Sequence, residues 1–311
     1  MNSFWNNLEK PIYALAPLAG ITNSPFRMVC KEYGADVLYS EMTSADGLHF
    51  KSKKTLAMLK FNKKEKPVVI QLFGKDPEKF KTAAKIVEES GADGIDINFG
   101  CPARKVVAHG GGVNLMKNLD LCYDIIKATC DNTSLPVSIK IRTSIQDEDK
   151  KITALDFLKK ISDLPVQVVM IHGRSYEQGF KKEIDYKIIK KARKYFKGII
   201  LANGGVVDSK SAKKTLRKTK ADGLGLARGL FGKPWFFNEL KTGFNPDWPE
   251  IKKIILKHAN YSYNALGDHG IIEMRKHLLW YVKGLKNAKS LRKELVKVET
   301  INDIKKALKN T

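Results

Sequence analysis

The chain has 311 residues, 43% of them hydrophobic, and its 56 Lys and Arg against 33 Asp and Glu give a net charge of +23. That apolar fraction excludes a chain disordered throughout, and no apolar run reaches the ~20 residues a membrane helix needs. The basic excess points to a polyanionic partner, nucleic acid or an anionic membrane surface; the plainer alternative is a generally lysine-rich proteome.

The first ten residues (MNSFWNNLEK) lack the basic start and apolar run of a signal peptide. Short runs rich in Val, Ile and Leu then recur, predicting strands over residues 12–17, 37–40, 68–73, 94–98, 137–141, 168–172, 199–203 and 223–227. Amphipathic stretches separate them. In residues 77–90, for example, Phe80, Ala83, Ala84 and Val87 share one helical face, and Gly91 ends the helix. Strands alternating with helices imply a parallel sheet with helices outside it. Eight such units favour a closed TIM (β/α)8 barrel, which takes ~250 residues. An open dinucleotide-binding sheet is disfavoured because no G-x-G-x-x-G follows the first strand.

The pattern changes after Leu240. Residues 241–250 (KTGFNPDWPE) read as a linker, and 251–266, 271–284 and 288–309 read as helices without strands between them. Two domains are expected, a barrel over 1–243 and a small all-helical unit over 244–311. The second carries 14 Lys and Arg against 7 Asp and Glu, interleaved with Tyr261, Tyr263, Trp280 and Tyr281. Aromatics among cations suit stacked bases and phosphates; the same aromatics also suit packing between helices. Cys30, Cys101, Cys122 and Cys130 show neither CxxC pairing nor zinc-ligand spacing. Cys122 and Cys130 fall in one amphipathic stretch and read as small buried hydrophobes. A cytoplasmic location is expected.

In a TIM barrel the active site gathers at the C-terminal ends of the strands. Those ends here are Pro17-Leu18-Ala19, Glu41, Gln71, Asn98, Lys140 with Arg142, His172, Asn203 and Arg228. A barrel kept only as a scaffold has little use for so many polar ends. The seventh and eighth strands run into Asn203-Gly204-Gly205 and Ala227-Arg228-Gly229, at the fold's usual phosphate site. Exposed backbone N–H groups can cradle an anion there, and a guanidinium adds a bidentate donor. Lys140 lies near the barrel axis, where a cation stabilises negative charge on a reduced flavin; an ion pair with Glu41 or Asp96 is the alternative. Gln71 offers a donor and an acceptor to the edge of a pyrimidine-like ring. Cys101 sits in Asn98-Phe99-Gly100-Cys101-Pro102, a tight turn at the mouth and away from any apolar helix face. A thiol of ordinary pKa (~8.5) is protonated at neutral pH and can donate that proton.

Together these stretches resemble the tRNA-dihydrouridine synthases, most closely the bacterial B-type group. The resemblance rests on APLAGIT (16–22), VIQLFG (69–74), DINFGCPARK (96–105), SIKIRT (138–143), IHGR (171–174), ANGGV (202–206) and LARGLFGKPW (226–235). EMRKHLLWY (273–281) resembles that group's helical RNA-binding tail. The match runs in family order from about residue 11 to 285. It implies FMN, NADPH or NADH as the reductant, and tRNA uridine as substrate. The implied FMN contacts are Pro17, Leu18 and Ala19 from the first strand, then Gln71, Lys140 and His172. Asn203, Gly204, Gly205, Ala227 and Arg228 complete them. Cys101 takes the place of the family's proton donor to C5, opposite hydride delivery to C6, and Asn98 and Arg142 lie near the target base. No membrane and no obligate protein partner are implied, and a monomer is expected. The alternatives are an FMN-dependent barrel reducing a free small molecule and a barrel that only binds RNA. Gly205 departs from the family's usual acidic residue, removing an acceptor near the flavin phosphate chain. Leu18 stands where Met is commoner, a volume-conserving exchange.

Overall fold

The computed structural model describes residues 3–179 and 182–309. Among the described residues ten strands occur: β1 Ile12–Leu15, β2 Val37–Ser44, β3 Val68–Phe73, β4 Gly94–Phe99, β5 Val137–Arg142, β6 Ser144–Asp147, β7 Lys150–Thr153, β8 Val168–His172, β9 Ile199–Asn203 and β10 Gly223–Leu226. Eight of them close a parallel barrel in the order β1-β10-β9-β8-β5-β4-β3-β2, with helices around it. The expected TIM fold is therefore present, followed by helices alone.

Near-continuous apolar runs suit strands covered on both faces. The outward residues pack under the helices, as Ile95, Ile97, Ile139 and Ile171 do. The inward residues at the N-terminal end, among them Ala14, Tyr39, Met170 and Leu201, form a smaller cluster that Trp5 completes. The barrel is thus filled at one end, leaving its C-terminal end to line a cavity. Register then aligns the polar strand ends: Asn98 lies beside Lys140, Arg142 beside His172, and His172 beside Asn203.

The elements differ from expectation at four places. β2 runs on to Ser44 through a register shift between Tyr39 and Met42, where Ser40 Oγ receives the Gln71 N–H at 3.0 Å. A polar hairpin, β6–β7, follows β5. The linker is short, because one helix runs Phe236–Thr242 and the next begins at Trp248, capped by Asp247. The last expected helix is two, Ala288–Leu295 and Ile301–Lys309. Thr300 causes the break: its N–H and hydroxyl both donate to Asp303 Oδ2, and its Oγ1 receives the Asp303 N–H, a reciprocal start for a new helix.

Helices Trp248–Leu266 and Asp268–Tyr281 share an apolar cluster of Ile254, Ile255, Ile271, Met274 and Leu278, joined from the barrel by Val29 and Trp235. The aromatics expected to meet bases are largely committed elsewhere. Tyr281 is buried, Trp280 stacks on Phe231 at 4.0 Å, and Tyr261 donates to Glu32. Tyr263 remains exposed.

Helix Ser24–Glu32, on which these helices rest, is anchored by a buried ion pair. Arg27 Nε meets Glu65 Oε2 at 2.6 Å with the side chains 3% and 0% exposed. Arg27 also donates to the Thr22 carbonyl at 2.8 Å, and Glu65 accepts the Asn62 N–H at 2.7 Å. Glu65→Ala strands the guanidinium in a dry site, so a loss of about 3–5 kcal/mol is expected. Urea unfolding of the variant measures it; a loss under about 1 kcal/mol would mean that the pair is not an anchor.

Candidate functional site

A cavity of about 440 Å³ opens at the C-terminal ends of the strands, and the fourteen residues that the family resemblance assigns to cofactor, base and proton donor all line it. Met42 joins them through the irregular stretch of β2. Glu41 does not: its carboxylate receives the Gly20 N–H and holds the turn after β1.

One wall is a chain of hydrogen bonds across three strands. Ser138 Oγ donates to Asp96 Oδ1 at 2.6 Å, and Gln71 Nε2 donates to Asp96 Oδ2 at 2.7 Å. Gln71 Oε1 accepts from Asn98 Nδ2 at 2.8 Å. Asn98 Oδ1 accepts the N–H groups of Gly100 and Cys101 at 3.1 and 2.9 Å. A carboxylate that only accepts stands at one end and N–H groups that only donate at the other, so each amide has one orientation. The Cys101 turn is thereby tied to a carboxylate at the barrel centre.

Other bonds hold that turn from outside. Arg142, 2% exposed, donates to the Gly100 carbonyl at 2.9 Å and to the Ser175 carbonyl at 2.9 Å. It braces the turn against the loop after β8. The segment after it, with glycines at 110, 111 and 112, packs beneath: Val113 N–H donates to the Cys101 carbonyl at 3.1 Å. Gly112 has φ +61°, and a Cβ there would lie 2.6 Å from that carbonyl, so only glycine fits. Cys101 itself is half-buried at the cavity wall. Cys30 and Cys122 are buried away from it, and Cys122 donates to the Leu115 carbonyl at 3.0 Å.

The floor is cationic. Burial, then Arg142, push the Lys140 amine down to about 8, against the pull of Asp96 and Cys101. Neither alternative ion pair forms, because Asp96 is taken by Gln71 and Ser138 and Glu41 by Gly20. Burial, reinforced by Lys140, Arg142 and Arg174, drives His172 down to about 2. The imidazole is neutral at any physiological pH, a hydrogen-bonding group rather than an acid.

The rim after β9 and β10 suits an anion. Gly204 and Gly205 have φ +100° and +73°. Among the described residues, the N–H groups of Gly204, Gly205 and Gly229 donate to no protein acceptor. Arg228 is exposed beside them on the cavity wall. A Cβ on Gly205 would lie 2.8 Å from Ile184 Cγ1, so an acidic side chain there would require Ile184 to move. The departure at 205 and the packing of Ile184 belong together.

Two residues of this site escaped the sequence reading. Asp96 does other work than the ion pair the sequence suggests, and its signal is a lone carboxylate in the run Gly94–Phe99. Arg174 follows His172 in the same IHGR motif. It is 9% exposed, its Nε donates to the Lys182 carbonyl, and its buried Nη1 has no hydrogen-bond partner among the described residues. Arg228 is near enough to repel its charge.

Paired amides, a neutral imidazole and a cation suit a polar heteroaromatic ring, the glycine rim an anionic tail, and the thiol a proton transfer. Among the described residues no group of three His, Cys, Asp or Glu could hold a metal ion, and no helix is long and apolar enough to cross a membrane.

The family described as dihydrouridine synthase has a model that matches residues 14–311. A probable tRNA-dihydrouridine synthase of Helicobacter pylori is 36% identical over 295 residues, covering 94% of this chain and 88% of its own. The tRNA-dihydrouridine synthase B of Pasteurella multocida is 34% identical over 279 residues, covering 87% of this chain and 83% of its own. Among solved structures, an old yellow enzyme homologue from Zymomonas mobilis superimposes with a TM-score of 0.55 at 12% identity, covering 80% of this chain and 96% of that one. At that identity the likeness concerns the fold alone.

Burial raises Asp96 from 3.8 to about 6, against its bonds from Gln71 and Ser138 and the charge of Lys140. Between about pH 4 and 6 the native state therefore keeps a proton that the unfolded chain has released, and stability falls as pH rises through that window. Two pKa units correspond to about 3 kcal/mol as an upper bound. Asp96→Asn removes this dependence, so the variant should gain on wild type across the window in denaturant unfolding. Parallel pH curves for the two proteins would refute it.

Proposed function

Because this chain belongs to the dihydrouridine synthase family, we propose that it reduces the C5=C6 bond of selected tRNA uridines to 5,6-dihydrouridine, using FMN and NADPH or NADH. The observation that carries the reading is the meeting of a thiol, a buried amine and an anion rim in one cavity. Its curated relatives bear tRNA-dihydrouridine synthase names, which favours tRNA over a free small molecule.

The residues present fit FMN. The free N–H groups of Gly204, Gly205 and Gly229, with Arg228, would hold its phosphate. Lys140, Gln71, His172 and Asn203 would meet its ring system and ribityl chain, against the wall of Pro17, Leu18, Ala19 and Ala227. When bound and reduced, FMN supplies the hydride that adds at C6 of the uracil ring.

The protein's part is to place the base and supply a proton. Reducing C5=C6 needs one hydride and one proton, and Cys101 gives its S–H proton to C5. The thiolate left behind faces Lys140 and Arg142, whose charges are coupled to it. Asn98 orients the Cys101 turn and Arg142 braces it, both beside the base. A stacked base cannot reach the cavity, so the uridine is extruded from the tRNA at a cost of a few kcal/mol. Residues 1–243 then form the flavin and chemistry domain, and residues 244–311 grip the RNA through phosphates.

Cys101→Ala should leave the flavin bound and reducible by NADPH. Its reoxidation by unmodified tRNA, followed in a single anaerobic turnover, should slow by ~10²–10⁴-fold, the usual cost of a lost general acid. Cys101→Ser should recover little, a hydroxyl being the weaker acid. Reoxidation at the wild-type rate would place the proton source elsewhere. Separately, Arg228→Ala should lose FMN on dialysis sooner than wild type, through the lost charge-assisted bonds to phosphate; equal retention would remove Arg228 from the phosphate site.

A further inference from the structure

Nearly half of the chain's net charge lies outside both the cavity and the C-terminal helices. Residues 186–220 hold twelve Lys and Arg against one acidic residue, Asp208, a net +11 of the chain's +23. Residues 244–311 contribute only +7. The dense segment contains helices Tyr186–Ala192 and Ser209–Thr219, which pack side by side on the outside of the barrel after β8 and β9.

Helix Ser209–Thr219 buries Ala212, Thr215 and Thr219. Lys210, Lys213, Lys214, Arg217 and Lys218 recur three or four residues apart, so they share its outward face. The neighbouring helix continues the surface. Lys214 and Lys218 reach over the Tyr186 ring at 6.0 and 5.4 Å, and Lys187, Lys190 and Lys191 are exposed beside it. Among the described residues, the only ion pair made by the segment's twelve cations is that of Arg193 with Asp222. In the C-terminal helices, by contrast, Lys253, Lys257 and Arg275 each meet a carboxylate. Like charges four residues apart weaken a helix, so this face is unfavourable in the free protein. A polyanion laid along it would remove the repulsion.

We propose that this face is a second RNA-binding surface, holding phosphates of the same tRNA at a distance from the reduced uridine. The proposal rests on the tRNA reading above. Its placement is apt: the face begins at Asp208, directly after the Gly204–Val207 rim of the cavity, and runs down the side of the barrel. Helix Phe236–Thr242 adjoins it, with Ser209 Oγ donating to Glu239 at 3.2 Å. The chemistry selects RNA over other polyanionic partners. Among the described residues of the segment only Tyr195 and Val207 are exposed large hydrophobics, too few for the anchors of a protein interface or the apolar insertion of a membrane-surface helix. Phosphates need only cations at suitable spacing.

The test compares two triple variants of the full-length protein in tRNA-binding titrations across a range of salt. One carries Lys214→Gln, Arg217→Gln and Lys218→Gln. The control carries Lys79→Gln, Lys81→Gln and Lys85→Gln on helix Pro77–Glu89, which follows β3 across the barrel. The first should bind unmodified tRNA about tenfold more weakly, and its log–log salt slope should fall by about 2–3 units, near 0.9 per lost phosphate contact. The control should change by less than about twofold. Equal loss in both variants, or none in the first, overturns the proposal. Amine acylation of the wild-type protein checks this without mutation: tRNA should protect Lys213, Lys214 and Lys218 but not Lys85, and uniform protection contradicts the surface. Dihydrouridine formation at saturating tRNA separates the two readings. A wild-type protein that binds through this face but forms no dihydrouridine keeps the surface and sinks the activity. A wild-type protein that forms dihydrouridine, with a triple variant that binds equally well, does the reverse.

Discussion

Lys140, Arg142 and Arg174 crowd positive charge into the open end of the barrel, and the buried carboxylate nearest to them, Asp96, is held by two hydrogen bonds of its own. Charges this poorly hydrated repel one another strongly. Burial, and after it this repulsion, lowers Lys140 and keeps His172 neutral, and among the described residues the buried Arg174 Nη1 has no hydrogen-bond partner. An anionic ligand and a transient thiolate are what such an environment stabilises.

Asp96 has a second task. Through Gln71 and Asn98 it aligns two amides and, at the far end, the backbone of Cys101. The amides on the cavity wall and the Cys101 turn are thus parts of one hydrogen-bonded unit. Such networks are most effective when every member is satisfied, and this one is satisfied from Ser138 to Cys101. The same charge logic operates at larger scale outside the barrel. There, unpaired lysines leave the helices after β8 and β9 facing solvent with a strong positive field, while the cavity rim opens above them.

Much of this was readable in the sequence because it depends on local pattern. Apolar runs alternating with amphipathic stretches give the eight barrel strands, and all their polar last residues except Glu41 line the cavity. What was missed depends on neighbours far apart in the chain. Asp96 acquires its meaning from Gln71 and Ser138, which only register places beside it. The extension of β2 follows from a bulge opposite Gln71, and the β6–β7 hairpin is too polar to read as strands. The break at 296–300 was local and visible: Thr300 and Asp303 have the spacing of a helix start. The tail aromatics show the limit of composition, since Tyr281 is buried and Trp280 stacks on Phe231.

The most direct measurement is of the product. Unmodified tRNA transcript and free uridine are incubated separately with the FMN-loaded protein and NADPH, and the nucleosides are then analysed by mass spectrometry. The expected result is a uridine heavier by two hydrogens at defined positions of the tRNA, with free uridine unchanged. A tRNA whose uridines keep their mass, from a protein whose flavin NADPH does reduce, would contradict the central claim.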